Sequence, residues 1–341
     1  MAAVVVGRKK IVLMDPFVSA AEVRDALGKY RDQFDIVATD RVPSGDDIFA
    51  LMVGPESPVS ADEITALSAL SIVVVTSTGF DHIPIDAATG LGAWVATTAG
   101  YCTEEVAEHA VALLLCGLRG IPALNSSVRA GNWDVIAVAP RRISGAVVGL
   151  LGFGRIAQSV ARRLTMLGVG VKAFDPFASG EAFDRLGVQR ADSLIDAITE
   201  ADAISLHIPS TPETRNVIDA NCLALLAPGT FVVNVARGEL IDLSALAEAI
   251  ANGQVSGAGL DVFVEEPLPM DAPIRGVPNV LLGPHGAWYS VDAEQRLVTS
   301  AVDSILDVLE GRPPAGAIAA PDSLAGPILP ARLSTSRGHP S

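Results

Sequence analysis

Four side chains in the second half of the chain, Arg237, Asp261, Glu266 and His285, are of the types that hold an anion and move a proton. They stand in the contexts N-V-A-R-G, G-L-D-V-F, E-E-P and P-H-G-A-W-Y-S, at strand ends or in adjoining loops. A guanidinium offers a fixed fork of donors to a carboxylate and polarises the carbonyl beside it. An imidazole moves a proton near neutral pH, and a nearby carboxylate stabilises its charged form. Singly, each has an ordinary reading: Arg237 as a surface ion pair, Glu266 as a solvated loop acid, His285 as a core histidine bonded to a backbone carbonyl. Together they supply what hydride transfer at an alcohol carbon needs, provided a nicotinamide lies beside them.

The stretch at residues 146–157 supplies that condition. An apolar run stops at Gly152, Phe153 and Gly154, and a helical pattern follows with Ile156, Val160, Leu164 and Leu167 on one face before Gly168. This predicts strand, tight turn, helix. Gly152 lets the chain turn where a Cβ would clash, and Gly154 lets backbone N–H groups approach a pyrophosphate at the positive end of the helix. Ala157 takes the third position of the fingerprint, where only close helix-to-strand packing is at stake. A second apolar run, 169–174, ends in Asp175 at about the 20-residue distance expected of a ribose-binding acid. Such an acid repels a 2′-phosphate, and no Arg follows it in Pro176, Phe177 and Ala178, so NAD is favoured over NADP. The plainer alternative is a glycine turn of another α/β protein with an aspartate that caps a loop.

These residues need a scaffold. Apolar runs at 11–14, 48–53 and 72–75 read as buried strands, and capping boxes at Ser19/Glu22 and Ser60/Glu63 open helices, the first running to about Tyr30. Strands alternating with helices predict a parallel α/β domain in the first hundred residues, without a dinucleotide fingerprint. T-S-T-G-F-D at 76–81 lies past a strand's carboxyl end, either a ligand-binding position or an ordinary β–α turn. Thr103 is the expected N-cap of a helix reaching Leu118, with Glu104 and Glu105 in its first turn. Its load of Val106, Ala110, Leu113, Leu114 and Leu118 suggests burial between domains or subunits. Residues 125–142, with Trp133, lead into the glycine-turn strand. Further strands are expected at 203–208, 231–235, 257–263 and 280–282, completing a doubly wound sheet near Pro284. A last amphipathic helix from about Asp292 to Glu310, stopped by Gly311, Pro313 and Pro314, would return to the first domain. The remaining Pro/Ala/Ser-rich tail is expected to be largely disordered.

Composition sets bounds. The chain has 341 residues, enough for two domains, and half are hydrophobic but few aromatic, as suits a parallel sheet covered by helices. A formal charge of −15 argues against nucleic acid and anionic membranes as partners, so a small anionic substrate must be drawn in locally. Cys102, Cys116 and Cys222 form neither a metal spacing nor an even disulfide framework, so no metal and a reducing compartment are expected. The N-terminal charges follow a very short apolar run, the reverse of a secretory signal, and the longest apolar run, 110–118, is too short to span a bilayer. A cytoplasmic protein is the expectation.

The ordered motifs G-F-G-R-I-A, F-D-P, L-H-I-P-S-T-P-E-T-R, N-V-A-R-G, G-L-D-V-F-x-E-E-P and P-H-G-A-W-Y-S resemble the D-isomer-specific 2-hydroxyacid dehydrogenases, in the phosphoglycerate dehydrogenase and C-terminal binding protein superfamily. The likeness runs from T-G-F-D-H-I and E-E-V-A-E-H to the last helix. It implies a Rossmann-type doubly wound α/β domain, residues 104–289, inserted into a flavodoxin-like α/β domain of residues 1–103 plus 290–315, joined by a pair of long helices, with a tail at 316–341. It implies Arg237, Glu266 and His285 as the catalytic set, His285 acting as acid in reduction and base in oxidation. Asp261 would hold the nicotinamide carboxamide. Gly152, Phe153, Gly154, Arg155, Ile156 and Asp175 would bind the rest of the cofactor, with Val106, His207, Pro209, Thr214, Val235 and Ala236 lining it. Ser77, Thr78, Gly79 and Trp288 join Arg237 and His285 as substrate-binding residues, and a homodimer built on the cofactor domain is implied.

The sequence also departs from the pattern. Val75 stands where the C-terminal binding protein branch carries an arginine, and His82 and Pro84 replace the asparagine and aspartate of the usual G-x-D-N-I-D. The anchor for a substrate's far end is therefore altered. His207 and His109 are expected to be structural. The leading expectation is an NAD-dependent dehydrogenase of a small 2-hydroxy acid. The alternatives are the same machinery oxidising a phosphonate or phosphite, and an NAD-sensing, corepressor-like scaffold.

Overall fold

The computed structural model describes residues 8–135 and 139–321. The chain divides into two compact units, one formed by Met1–Tyr101 with Ser290–Ser341 and the other by Cys102–Tyr289.

In the first unit, strands β1 (Lys9–Met14), β2 (Phe34–Ala38), β3 (Ile48–Val53), β4 (Ile72–Val75) and β5 (Trp94–Thr97) form a parallel sheet in the order 5-4-3-1-2. A short strand, Ala317–Ala319, extends it antiparallel to β5. β3 and β4 are buried along their whole length, the pattern of strands covered on both faces. Helices α1 (Ala20–Ala26), α2 (Ala61–Thr65) and α3 (Ile85–Gly90) link the strands. Both capping boxes form: Ser19 and Glu22, and Ser60 and Glu63, satisfy each other's backbone N–H groups. α1 stops at Ala26, short of the expected Tyr30, because Gly28 turns into the left-handed region at φ +52 and a 3-10 turn follows. The C-terminal helix Val291–Leu309 belongs to this unit and buries Leu297, Val298, Ala301, Val302 and Ile305. The strand at Ala317–Ala319 lies in the Pro/Ala/Ser-rich tail expected to be largely disordered; residues 322–341 lie outside the described residues.

The second unit opens with α4 (Thr103–Leu118) and α5 (Ile121–Arg129). Thr103 is the first helical residue of α4 rather than its cap; Cys102 occupies the cap position, and its side chain makes no capping bond to the helix. Strands β6 (Val147–Leu151), β7 (Gly170–Phe174), β8 (Gln189–Arg190), β9 (Ala203–Leu206), β10 (Thr230–Asn234), β11 (Val255–Leu260) and β12 (Val280–Leu282) form a fully parallel sheet in the order 12-11-10-9-6-7-8. The connections diverge at the boundary of β6 and β9, the switch point of a doubly wound sheet. α6 (Arg155–Met166) follows β6 and buries Ala157, Val160, Ala161 and Leu164. α4 packs on β9, β10 and β11; Gly117 permits the approach, since a Cβ there would lie 2.2 Å from the ring of Phe231. No single helix among the described residues is long and apolar enough to cross a membrane.

Candidate active site

β9, β10 and β11 each end one to three residues sooner than their apolar runs, so His207, Val235, Arg237 and Asp261 emerge in loops at the carboxyl edge of the second sheet. The glycine turn lies on the same edge, after β6. Gly152 has φ +94, and a Cβ there would stand 2.5 Å from the carbonyl oxygen of His207. Gly154 faces open space, with nothing within 4 Å of an added Cβ, at the start of α6. This cradle fits a pyrophosphate held by backbone N–H groups at a helix N-terminus. Asp175 clasps the turn: Oδ2 accepts from Phe153 N at 2.7 Å, and Oδ1 accepts from Phe177 N at 2.8 Å and Ala178 N at 3.2 Å. The Phe153 ring is buried and stacked on Phe183 at 4.2 Å. Arg155 is exposed, Ile156 is half-buried, and Val106 is buried on α4.

The loop after β9 is pinned by Thr214, whose hydroxyl donates to Pro209 O at 2.7 Å and accepts from Thr211 N at 2.8 Å. His207 bonds Ser205 Oγ through Nε2 at 3.0 Å, and burial pushes its pKa down to about 4, so it stays neutral. After β10 the turn through Val235 and Ala236 to Arg237 is fixed by Asn234, which sequence reasoning missed. Its buried amide accepts from Ala236 N at 3.0 Å and donates to Arg237 O at 2.8 Å. The only sign of it is an asparagine directly after the apolar Phe231, Val232 and Val233.

Glu266 and His285, 19 residues apart, meet at 2.6 Å through Oε2 and Nδ1. Glu266 Oε1 accepts from Phe263 N at 2.7 Å, so each carboxylate oxygen has a set direction. Burial works to raise the Glu266 pKa, but the bonds from His285 and Phe263 and the charges of His285 and Arg237 hold it below the ordinary value. The bond to Glu266 raises the pKa of His285 against the effect of burial; the charges of Glu266 and Asp261 add to the rise and that of Arg237 opposes it. Arg237 thus acts electrostatically on both members of the pair, and its Nη1 donates to Ala236 O at 2.7 Å.

Asp261, for which the resemblance implies a hold on the nicotinamide carboxamide, is tied to the loop that carries His285. Its side chain is wholly enclosed, at 0% exposure, and faces the His285 turn. Oδ1 accepts from Gly286 N at 3.1 Å, Oδ2 from Ala287 N at 2.7 Å, and the backbone oxygen from His285 N at 2.7 Å. His109 Nε2 lies 3.8 Å from Oδ1. These bonds hold His285 in the left-handed region, at φ +55, which a non-glycine residue rarely adopts. Trp288, half-buried, meets Tyr289 edge-on at 5.4 Å.

In the first unit, Ser77, Thr78 and Gly79 follow β4, with the Ser77 hydroxyl on Gly79 O at 2.6 Å. Val75 is fully buried in that unit's core.

Residues 111–287 match the family model described as the D-isomer specific 2-hydroxyacid dehydrogenase, NAD binding domain. The chain belongs to this family. Residues 111–287 are its NAD-binding domain. This family member is 39% identical, over 290 residues and 85% of its length, to the D-3-phosphoglycerate dehydrogenase of Mycobacterium tuberculosis, 53% of which is covered. It is 34% identical over 298 residues to the (S)-sulfolactate dehydrogenase of Chromohalobacter salexigens, covering 86% of this chain and 96% of that one. The TT0316 protein of Thermus thermophilus superposes with a TM-score of 0.79 at 29% identity, covering 91% of this chain and 100% of that one. The chain spans about half the length of the curated phosphoglycerate dehydrogenases it matches.

Asp261→Ala leaves the N–H groups of Gly286 and Ala287 unpaired, so a loss of about 1–3 kcal/mol is expected in urea unfolding. An unchanged midpoint and slope would show that the clamp contributes nothing.

Proposed function

We propose that this chain is an NAD-dependent dehydrogenase that interconverts a small 2-hydroxy acid and its 2-keto acid. The observation that carries the reading is the His285 and Glu266 pair at 2.6 Å, within the field of Arg237 and on the carboxyl edge that bears the glycine turn. In oxidation the C–H and O–H bonds of the carbinol break, leaving a carbonyl. NAD, when bound, supplies the acceptor for the hydride and its electron pair. His285 takes the hydroxyl proton at Nε2, the nitrogen not engaged by Glu266. Glu266 fixes the tautomer and stabilises the imidazolium, so the same proton is available for the return reaction. Arg237 holds the carboxylate and polarises the adjacent oxygen. Asp261 sets the His285 turn. Trp288 contacts substrate.

Reduction requires protonated His285, whose pKa Glu266 raises. Glu266→Gln therefore moves the alkaline fall of kcat/KM for keto-acid reduction to lower pH, read by NADH absorbance across pH. An unmoved limb would remove Glu266 from the mechanism.

Asp175 favours NAD: a 2′-phosphate would meet a carboxylate already fixed by three backbone N–H groups, with no Lys or Arg before Arg185 in the sequence that follows. Fluorescence titration is expected to show tighter binding of NADH than NADPH, and Asp175→Ala is expected to narrow the gap. Preference of the unmutated chain for NADPH would overturn the assignment.

A homodimer built on the second unit completes the reading. α5 buries none of its residues, and Ile121 and Val128 on it and Trp133 and Val135 after it are exposed apolar side chains, Trp133 at 93%. Light scattering should give the mass of two chains and Trp133→Asp a shift toward one. A single-chain mass for the unmutated protein would refute the dimer.

A further inference from the structure

The two ends of the second unit's chain meet at one carboxylate. The unit opens with α4 and closes with the loop that runs through His285 to Tyr289. Asp261, just past β11, accepts from the N–H groups of Gly286 and Ala287 in that closing loop. From the opening helix the half-buried His109 approaches the same group, its Nε2 lying 3.8 Å from Oδ1.

This meeting is built by spacing. Residues two apart on a strand share a face, and so do residues four apart on a helix. Two strand residues advance about 6.6 Å and four helical residues about 6 Å, so the two kinds of pair stay in step. Gly259 and Asp261 are such a strand pair, and the N–H of Asp261 continues the ladder to Asn234 O at 3.0 Å. Leu113 and His109 are the matching helix pair. A Cβ at Gly259 would lie 3.0 Å from that of Leu113, so the bare glycine lets α4 settle on β11 with Leu113 over Gly259 and His109 over Asp261. Gly283 makes room for the same carboxylate, since a Cβ there would stand 2.1 Å from Oδ1. A desolvated carboxylate is held by donors and by charge. The ring of His109 brings a third donor beside the two backbone groups.

We propose that His109 is a positioning residue for the proton transfer: its Nε2–H faces the enclosed Asp261 carboxylate and so keeps the turn of Gly286 and Ala287, and His285 with it, in place against Glu266. His109 acts through Asp261 in two ways. The Asp261 backbone oxygen accepts from His285 N at 2.7 Å, and the Asp261 charge adds to the rise in the His285 pKa. The proposal rests on the dehydrogenase reading above and deepens it, giving His109 more than the structural role expected of it.

The test compares the full chain with His109→Leu, which keeps helix and bulk but has no donor, and with His109→Gln, whose amide nitrogen restores one. Backbone hydrogen exchange at Gly286 and Ala287 reads the turn directly and needs no substrate. In His109→Leu it is expected to quicken about tenfold there, while β6 and β9 exchange as before. Kinetics use whichever of glyoxylate, pyruvate, phenylpyruvate and 3-phosphohydroxypyruvate the unmutated chain reduces fastest with NADH. His109→Leu is expected to lower kcat about tenfold, as a slight misplacement of the proton donor would. KM is expected to hold, because Arg237 stands on the loop after β10. His109→Gln is expected to recover most of both losses. Unchanged exchange at the turn, faster exchange throughout the sheet, or an unchanged kcat in His109→Leu overturns the inference. So does a His109→Gln variant that behaves like His109→Leu. No turnover of any acid by the unmutated chain overturns the dehydrogenase reading instead, and the exchange comparison still decides whether His109 holds the turn.

Discussion

All seven strands of the second sheet run the same way, and this constraint decides where the chemistry of the chain gathers. Parallel strands send every carboxyl end to one edge, so loops separated by dozens of residues open onto a common crevice. The glycine turn, Asp175, Arg237, Asp261 and His285 all follow the ends of such strands. Had one of these strands run antiparallel, the residue it delivers would lie at the opposite edge of the sheet.

Within that frame the decisive local interaction is the enclosure of Asp261. A desolvated carboxylate requires donors, and the donors available are the N–H groups of the turn that carries His285. The turn can offer them only by folding around the carboxylate, which puts His285 into a left-handed backbone conformation. From there its Nδ1 reaches Glu266, itself oriented by Phe263 N–H. The imidazole is thus positioned by a chain of short bonds that begins in the core rather than by contact with solvent-facing groups.

The first unit follows the same topological logic with different side chains. Its switch point holds a buried acid bonded to a threonine hydroxyl. The loops at the carboxyl edge of the first sheet carry Asp15, Glu56 and Asp81, whereas those of the second carry Arg237 together with Asp175, Asp261 and Glu266.

The sequence by itself determined the alternation of strands and helices, both capping boxes, the glycine turn and the last helix, because each rests on spacing within a few residues: apolar periodicity, a Ser and a Glu three apart, a Gly where a Cβ would strike a neighbouring carbonyl. The doubly wound and flavodoxin-like orders were legible too, through strand count and family motifs. What the residues alone left open was which polar group faces which. Asp261 reads as a strand-end acid free to touch a ligand, and only the tertiary structure turns it inward onto Gly286 and Ala287. Asn234 gives no signal beyond its type, and the short strand at Ala317–Ala319 is hidden in a tail of disordered composition. Partners tens of residues apart are chosen by burial, which makes an unmet hydrogen bond costly, and burial exists only once the chain has packed.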